Sequence, residues 1–273
     1  MKEDISNADF VDIVNIVKLQ YGYDFTGYAQ ASLKRRIVRF MSYAGIATAF
    51  ELKYLLVNDT DFFNRLVQYI TVNVTEMFRD PLFYQTLRTQ VLPKLAAYPN
   101  IKIWHAGCST GEEVFSMAIL LHEAGLLGRT KIYATDLNPM NLEKANMGIL
   151  PLDNMKDYVY NYIQSGGLGD FSNYYTARYD NVLIKKELRK HITFFQHNLV
   201  TDTVFNEFQL ICCRNVFIYF NRELQNHVLQ LFYDSLSPRG YLAMGIKETM
   251  RFASIHEKFE TIHPAHKIYR RKG

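Results

Sequence analysis

Cysteine is scarce: Cys108, Cys212 and Cys213 are the only three in 273 residues. Three thiols exclude a disulfide-stapled secreted fold and any all-cysteine zinc site. No run of 18 apolar residues is present, so no stretch is long enough to read as a membrane span. The opening MKEDISNADF has no apolar core of a signal peptide, and the expectation is a soluble cytoplasmic protein. Charge of one sign is also limited. Lys plus Arg is 31 against 27 for Asp plus Glu, and the formal +4 is too mild to require a nucleic-acid partner. The histidines form no HExxH and no paired spacing with cysteine, and no metal is expected. Internal repeats and low-complexity segments are absent.

What is present suits a packed core. Hydrophobic residues make up 48%, which argues against a disordered chain. The length fits one large domain, or one of about 200 residues with a small companion.

The first part of the chain reads as helical. Ile13, Ile16 and Val17 recur at three- and four-residue spacing. Further helices are expected at 29–41, 50–57 and 61–70, punctuated by Gly22, Gly27, Gly45 and Asn58-Asp59. The segment 29–41 carries Lys34, Arg35, Arg36 and Arg39 and no acid. A small helical domain is expected over 1–72, and a connector with a leading helix at 81–95 over 73–99. From residue 100 to 273 strands alternate with helices. Strands are expected at 101–106, 131–136, 192–197, 208–214, 241–246 and 266–271, with helices at 113–124, 140–147 and 222–235. This is α/β grammar: a doubly wound, mainly parallel sheet covered on both faces. The stretch 148–191 is too long for a crossover. It reads as an inserted subdomain at about 150–190, with a helix near 154–164 and a small antiparallel sheet through 174–184.

The sequence IWHAGCSTGEE (103–113) runs from a strand through Gly107 and Gly111 into a helix. It is neither G-x-G-x-x-G nor a phosphate loop with its Lys. Glu112 and Glu113 stabilise the positive helix end but would repel a pyrophosphate. A cofactor with a cationic amine and no phosphate, such as S-adenosylmethionine, fits better. Asp136 ends the next strand, where an acid can accept from two ribose hydroxyls. Alternatively, it merely caps the helix after Asn138-Pro139.

Two further stretches, NVTEMFRDP (73–81) and CRNVFIYFN (213–221), together with AGCSTGEE (106–113), resemble the chemotaxis receptor methyltransferases, the CheR family. The likeness spans nearly the whole chain. It implies a helical N-terminal domain, a methyltransferase sheet with an inserted β-subdomain, and methyl transfer from S-adenosylmethionine to receptor glutamates. It also implies roles by position. Thr75 and Arg79 lie near the methionyl part of the cofactor, with Ala106 and Gly107 giving backbone opposite. Glu113 meets the amino group, Asp136 the ribose, and Asn198-Leu199 the adenine. Arg214, Asn215 and Tyr219 line the region of the transferred methyl. The chain departs from the family at Gly245-Ile246-Lys247-Glu248, where Lys247 adds charge, and in its long, aromatic insertion.

A glutamate carboxylate is already ionised at pH 7, its usual pKa being about 4.3, so general acid–base chemistry is hardly needed. Arg79 can hold the substrate carboxylate, the cofactor carboxylate, or each in turn, or it can pair with Asp80 or Glu76 at the surface. Arg214, at the end of an apolar strand, calls for a salt bridge and would brace the site. Tyr219 can orient the acceptor, or it can pack with Phe217. The three cysteines read as small buried hydrophobes. The resemblance implies that the basic helix 29–41 meets acidic receptor helices. It also implies that the 150–190 subdomain can take a receptor peptide as an added strand, with Tyr174-Tyr175 and 182–184 as its edge and Gly166, Gly167 and Gly169 as the turn. A monomer is expected. Two rivals remain: a nucleic-acid or small-molecule methyltransferase, opposed by Arg214-Asn215-Val216-Phe217 where an Asn-Pro-Pro-Tyr type stretch would be needed, and a non-enzymatic sensor of the cofactor.

Overall fold

A computed structural model describes residues 5–71 and 74–273, so the expected junction at 72 and 73 lies outside the described residues. Four helices come first: α1 (Asn7–Tyr21), α2 (Gln30–Ala44), α3 (Ala49–Asn58) and α4 (Thr60–Ile70). Ser6 and Asp59 cap α1 and α4 by accepting the N–H groups of Asp9 and Phe62. Gly22 and Gly45 end α1 and α2 in the left-handed region that other residues avoid. The helices bury one shared core, including Ile13, Val17, Leu33, Ile37, Phe40, Leu56 and Leu66.

The leading helix is interrupted. α5 (Pro81–Thr86) passes through a wide π turn, Leu87–Val91, into α6 (Leu92–Leu95). Pro93 has no N–H to continue the ordinary ladder, and the Leu92 N–H reaches back to the Leu87 carbonyl instead.

β1 (Ile101–Ala106), α7 (Glu112–Glu123), β2 (Thr130–Asp136) and α8 (Pro139–Met147) follow as the sequence alternation predicts. The insertion then adds β3 (Ile149–Pro151), α9 (Met155–Gln164), β4 (Tyr175–Arg178), β5 (Asn181–Ile184) and the short α10 (Lys186–Arg189). The main sheet resumes with β6 (Ile192–Gln196), β7 (Phe208–Cys213), α11 (Arg222–Ser235), β8 (Leu236–Met244), β9 (Phe259–His263) and β10 (Ile268–Arg271).

Seven strands form the main sheet in the order β6-β2-β1-β7-β8-β10-β9. The first five are parallel, and β10 and β9 close one edge antiparallel. Two details differ from the sequence reading. The strand expected at 241–246 starts at Leu236 and runs through Pro238–Gly240 with a shifted register. The terminal strand has an antiparallel partner, β9, that strand propensity alone did not single out. β1 lies between β2 and β7, with the chain departing to opposite sides. A crevice therefore opens beyond its carboxyl end. Apolar side chains on one face pack with α5 and α7, and on the other with α11.

The insertion is a three-stranded sheet in the order β3-β5-β4. This corrects the expected edge: 182–184 is the central strand, paired on both sides, and the outer strands are β3 and β4. The Gly166–Gly169 turn wraps the Tyr162 ring, whose hydroxyl accepts the Gly169 N–H at 2.9 Å. A Cβ on Gly167 would lie 2.3 Å from that ring.

The helical domain is joined to the sheet domain by backbone. The Ala29 N–H donates to the Tyr219 carbonyl (2.8 Å) and the Asn221 N–H to the Gly27 carbonyl (2.9 Å). A Cβ on Gly27 would sit 2.9 Å from Leu224, so only glycine permits this approach. Among the described residues, no helix is long and apolar enough to cross a membrane.

Candidate active-site cleft

Four strand ends deliver the site. β1 is followed by Gly107, whose φ of +77° suits glycine and whose missing Cβ leaves room for Val216, 2.5 Å from where it would stand. The Gly107 and Cys108 N–H groups both donate to the Thr135 carbonyl at 2.8 Å. The loop turns at Ser109, also left-handed, so that the Ser109 N–H points at the Asp136 carboxylate (2.8 Å). Asp136 accepts the Asn138 N–H as well (2.9 Å). Burial pushes its carboxyl up, against those two N–H groups, which favour the charge. Helix α8 is capped by Asn138 itself, so Asp136 organises the loop while facing the cleft.

Glu113, in the first turn of α7, is bonded at both oxygens: Oε1 to His105 Nδ1 (2.8 Å) and Oε2 to Arg214 Nη1 (3.0 Å). Burial opposes its charge, but the His105 hydrogen bond and the Arg214 charge prevail and hold its pKa below the ordinary value. Arg214 directly follows β7 with its side chain 1% exposed. It also pairs with Asp80 (2.6 Å), donates to the Arg79 carbonyl (3.1 Å) and lies 4.0 Å over the Phe83 ring. The charge is thus neutralised twice, as a buried guanidinium requires. His105, Glu113 and Cys212 come within 4.8 Å of one another, and the Arg214 guanidinium already supplies the positive charge beside them.

Arg79 behaves differently. It lines the cleft, its Nη1 donates to the Val74 carbonyl (3.2 Å), and among the described residues no carboxylate forms an ion pair with it. The surface pairing with Asp80 is displaced because Asp80 belongs to Arg214. Asn215 adopts φ +63°, and the loop it opens is gathered by buried Glu248, which accepts the Gly245 N–H (2.6 Å) and is also favoured by the N–H groups of Asn215, Ile218 and Phe217. The loop then turns so that Phe217 enters the core, 3% exposed, while Tyr219 faces the cleft.

Thr75, Arg79, Gly107, Glu113, Asp136, Asn198, Leu199, Arg214, Asn215 and Tyr219 all line this one cleft. Ala106 does not; it is buried with Trp104 and Ile211 beneath the loop. The Asn198 side chain turns back to accept the Val200 N–H (3.0 Å). Other lining residues escaped the sequence reading. Tyr28, Ser32 and Arg36 come from the helical domain, and Arg36 lies 4.4 Å over the Tyr219 ring while donating to the Ile70 carbonyl (2.7 Å). A signal existed: Arg36 shares the α2 stripe of Leu33, Ile37 and Phe40, so it could not face outward with Arg35 and Arg39.

The cleft's chemistry fits a phosphate-free nucleoside with a cationic end. A glycine cradle and an aligned carboxylate lie on one side and acids without lysine at the helix start. Among the described residues, three buried polar atoms of lining residues, Ser109 Oγ, His197 Nδ1 and Arg214 Nε, lack a hydrogen-bond partner.

Residues 73–268 match the family described as CheR methyltransferase, SAM binding domain, and residues 8–71 match CheR methyltransferase, all-alpha domain. Cher3 of Pseudomonas putida, a methyltransferase by name, is 46% identical over 259 residues, covering 95% of each chain. A chemotaxis protein methyltransferase of Listeria innocua is 32% identical across 88% of this chain and 89% of its own. One of Borreliella burgdorferi is 28% identical across 90% of each. The chain belongs to the CheR methyltransferase family and binds S-adenosylmethionine for methyl transfer.

Proposed function

We propose that this CheR-family methyltransferase esterifies glutamate side chains in the cytoplasmic domains of chemoreceptors. The observation that carries the reading is the contrast between two arginines in one cleft. Arg214 is paired with both Asp80 and Glu113, whereas Arg79 lines the cleft with no carboxylate paired to it among the described residues. A planar guanidinium is suited to receive a carboxylate in two parallel hydrogen bonds.

S-adenosylmethionine supplies a methyl group on a positively charged sulfur, which an ionised carboxylate can accept without a base. The chain's contribution is to hold, orient and exclude water. Asp136 would take the ribose hydroxyls, and Glu113, fixed by His105 and Arg214, the ammonium. Asn198 and Leu199 would flank the adenine, with Thr75, the Gly107 loop (Ala106 beneath it) and Asn215 enclosing the rest. Arg79 would steer the acceptor carboxylate, and the Tyr219 ring, pinned by Arg36, would wall its approach. Arg214 acts as a positioning residue through Glu113. Proximity and orientation of this kind supply roughly 7–11 kcal/mol of a barrier.

The partner reading follows from the exposed faces. Arg35 and Arg39, four apart on the outer side of α2, suit acidic receptor helices. The outer strand β4, exposed from Thr176 to Arg178, suits a receptor peptide added as a further strand. The test is transfer of labelled methyl to receptor-containing membranes. Label released as methanol in mild base is expected. Base-stable label, or label confined to a small molecule or nucleic acid, would overturn the reading.

A further inference from the structure

We propose that Tyr28, a residue of the helical domain, donates a hydrogen bond to a ribose hydroxyl of the bound cofactor and so makes that domain part of the nucleoside site. The inference rests on the cofactor placement proposed above, with the ribose at Asp136. The helical domain meets the sheet domain at the end of β2. Leu137, next to Asp136, packs against the helical core, and the Asn138 side chain donates to the Thr71 hydroxyl at 3.3 Å. Tyr28 sits in the same seam. Its backbone bridges Phe220 antiparallel, next to the hydrogen bond from the Ala29 N–H to the Tyr219 carbonyl. Its ring meets Phe25 and Phe220 edge to face at 4.9 and 5.3 Å. Tyr28 lines the cleft together with Asp136 and Tyr219, and both of these groups bear electrostatically on its phenol.

Packing accounts for the ring but not for the hydroxyl. Among the described residues the hydroxyl has no hydrogen-bond partner, and it is not one of the sealed polar atoms. The residue is half-buried and forms part of the cleft wall. Burial and the negative charge of Asp136 push the phenol's pKa up, against the pull of Arg36, so the group stays protonated and remains a donor. Enclosed tyrosine hydroxyls usually find a partner, and clefts between domains are common ligand sites. The chemistry of the two side chains is complementary. A carboxylate can accept hydrogens from ribose hydroxyls but can give none back, so the hydroxyl oxygens still have lone pairs to fill. A neutral phenol beside the acid supplies that donor. The cofactor ammonium cannot take it, having no lone pair to accept with.

The experiment is titration calorimetry of the full chain with S-adenosylhomocysteine and with its 2′-deoxy and 3′-deoxy ribose analogues. Tyr28→Phe keeps the ring against Phe25 and Phe220 and removes only the hydroxyl. It should bind S-adenosylhomocysteine about tenfold more weakly. The loss should vanish with one deoxy analogue, the one that lacks the accepting hydroxyl. Urea unfolding without ligand should match the wild type, because the hydroxyl bonds nothing in the protein. Equal affinity of variant and wild type for S-adenosylhomocysteine overturns the inference, including the case where only kcat/KM for the receptor falls. An equal loss with all three ligands, or lowered stability without ligand, overturns it too and makes Tyr28 a packing residue. Asp136→Ala separates the inference from its premise. If that variant binds S-adenosylhomocysteine like the wild type, the ribose placement falls and the inference with it. If it loses affinity while Tyr28→Phe does not, only the assignment of Tyr28 falls.

Discussion

Helix α7 carries an ion-paired carboxylate near each end, and the two ends are built for different tasks. At its carboxyl end Glu123 is engaged at both oxygens by the protein. Tyr162 and Tyr174 donate to it, the latter at 2.9 Å, the Leu168 N–H adds a bond at 3.1 Å, and Arg88 pairs at 2.5 Å. These partners belong to α9, the insertion and the leading helix, so Glu123 anchors the insertion to the sheet domain. At the other end Glu113 is held by His105 and Arg214, but the neighbourhood is left incomplete. Among the described residues Arg79 lines the same cleft without an ion pair. The first network ties pieces of the fold together, whereas the second fixes a carboxylate beside a cleft.

The comparison can be broken at either end. Arg214→Leu should have the largest effect, because it removes a buried guanidinium and leaves the half-buried Glu113 and Asp80 without their cation. About 3–5 kcal/mol of stability should be lost in urea unfolding, together with cofactor binding. Glu123→Ala should cost about 2–3 kcal/mol in the same assay, yet leave affinity for S-adenosylhomocysteine unchanged. Lost affinity there would mean that the two ends are coupled. Arg79→Ala should lower kcat/KM for the receptor about 100-fold, the scale of a mispositioned reacting group, with the fold intact. Unaltered kinetics would make Arg79 peripheral. Asp136→Ala should weaken S-adenosylhomocysteine binding by about 10- to 100-fold in calorimetry; unchanged affinity would sink the ribose assignment.

The smallest effect concerns acid. The folded pKa of Glu113 lies below its ordinary 4.5, so its contribution to stability is complete above that value. It is lost as the pH falls through the depressed folded value. Glu113→Gln should therefore flatten the acid limb of the stability profile, measured by urea unfolding from pH 6 down to about pH 3.

Much of the cleft was legible because its parts are local. Gly107, Glu113 and Asp136 sit at strand ends that alternation alone locates, and the glycine–acid loop excludes phosphate by charge. Arg36 was hidden within a run of basic residues, although its place on the apolar stripe separates it from Arg35 and Arg39. Glu123 gave no signal, since its partners lie 35–51 residues away in sequence or, for Tyr162 and Tyr174, within an insertion of irregular pattern. Of the expected edge, Tyr175 does begin an outer strand, β4, but 182–184 was misread because β5 is apolar enough to look like a binding edge, whereas its burial comes from being paired on both sides. His197 read as the last residue of a strand. Only the Thr203 carbonyl, brought back by the loop, reveals which nitrogen is left bare.

The most direct measurement is mass spectrometry of a receptor cytoplasmic fragment after incubation with the chain and S-adenosylmethionine, compared with Arg79→Ala. The account predicts methyl groups on glutamate side chains, removed by mild base and nearly absent with the variant. Methylation on any other residue type, or equal modification by Arg79→Ala, would contradict it.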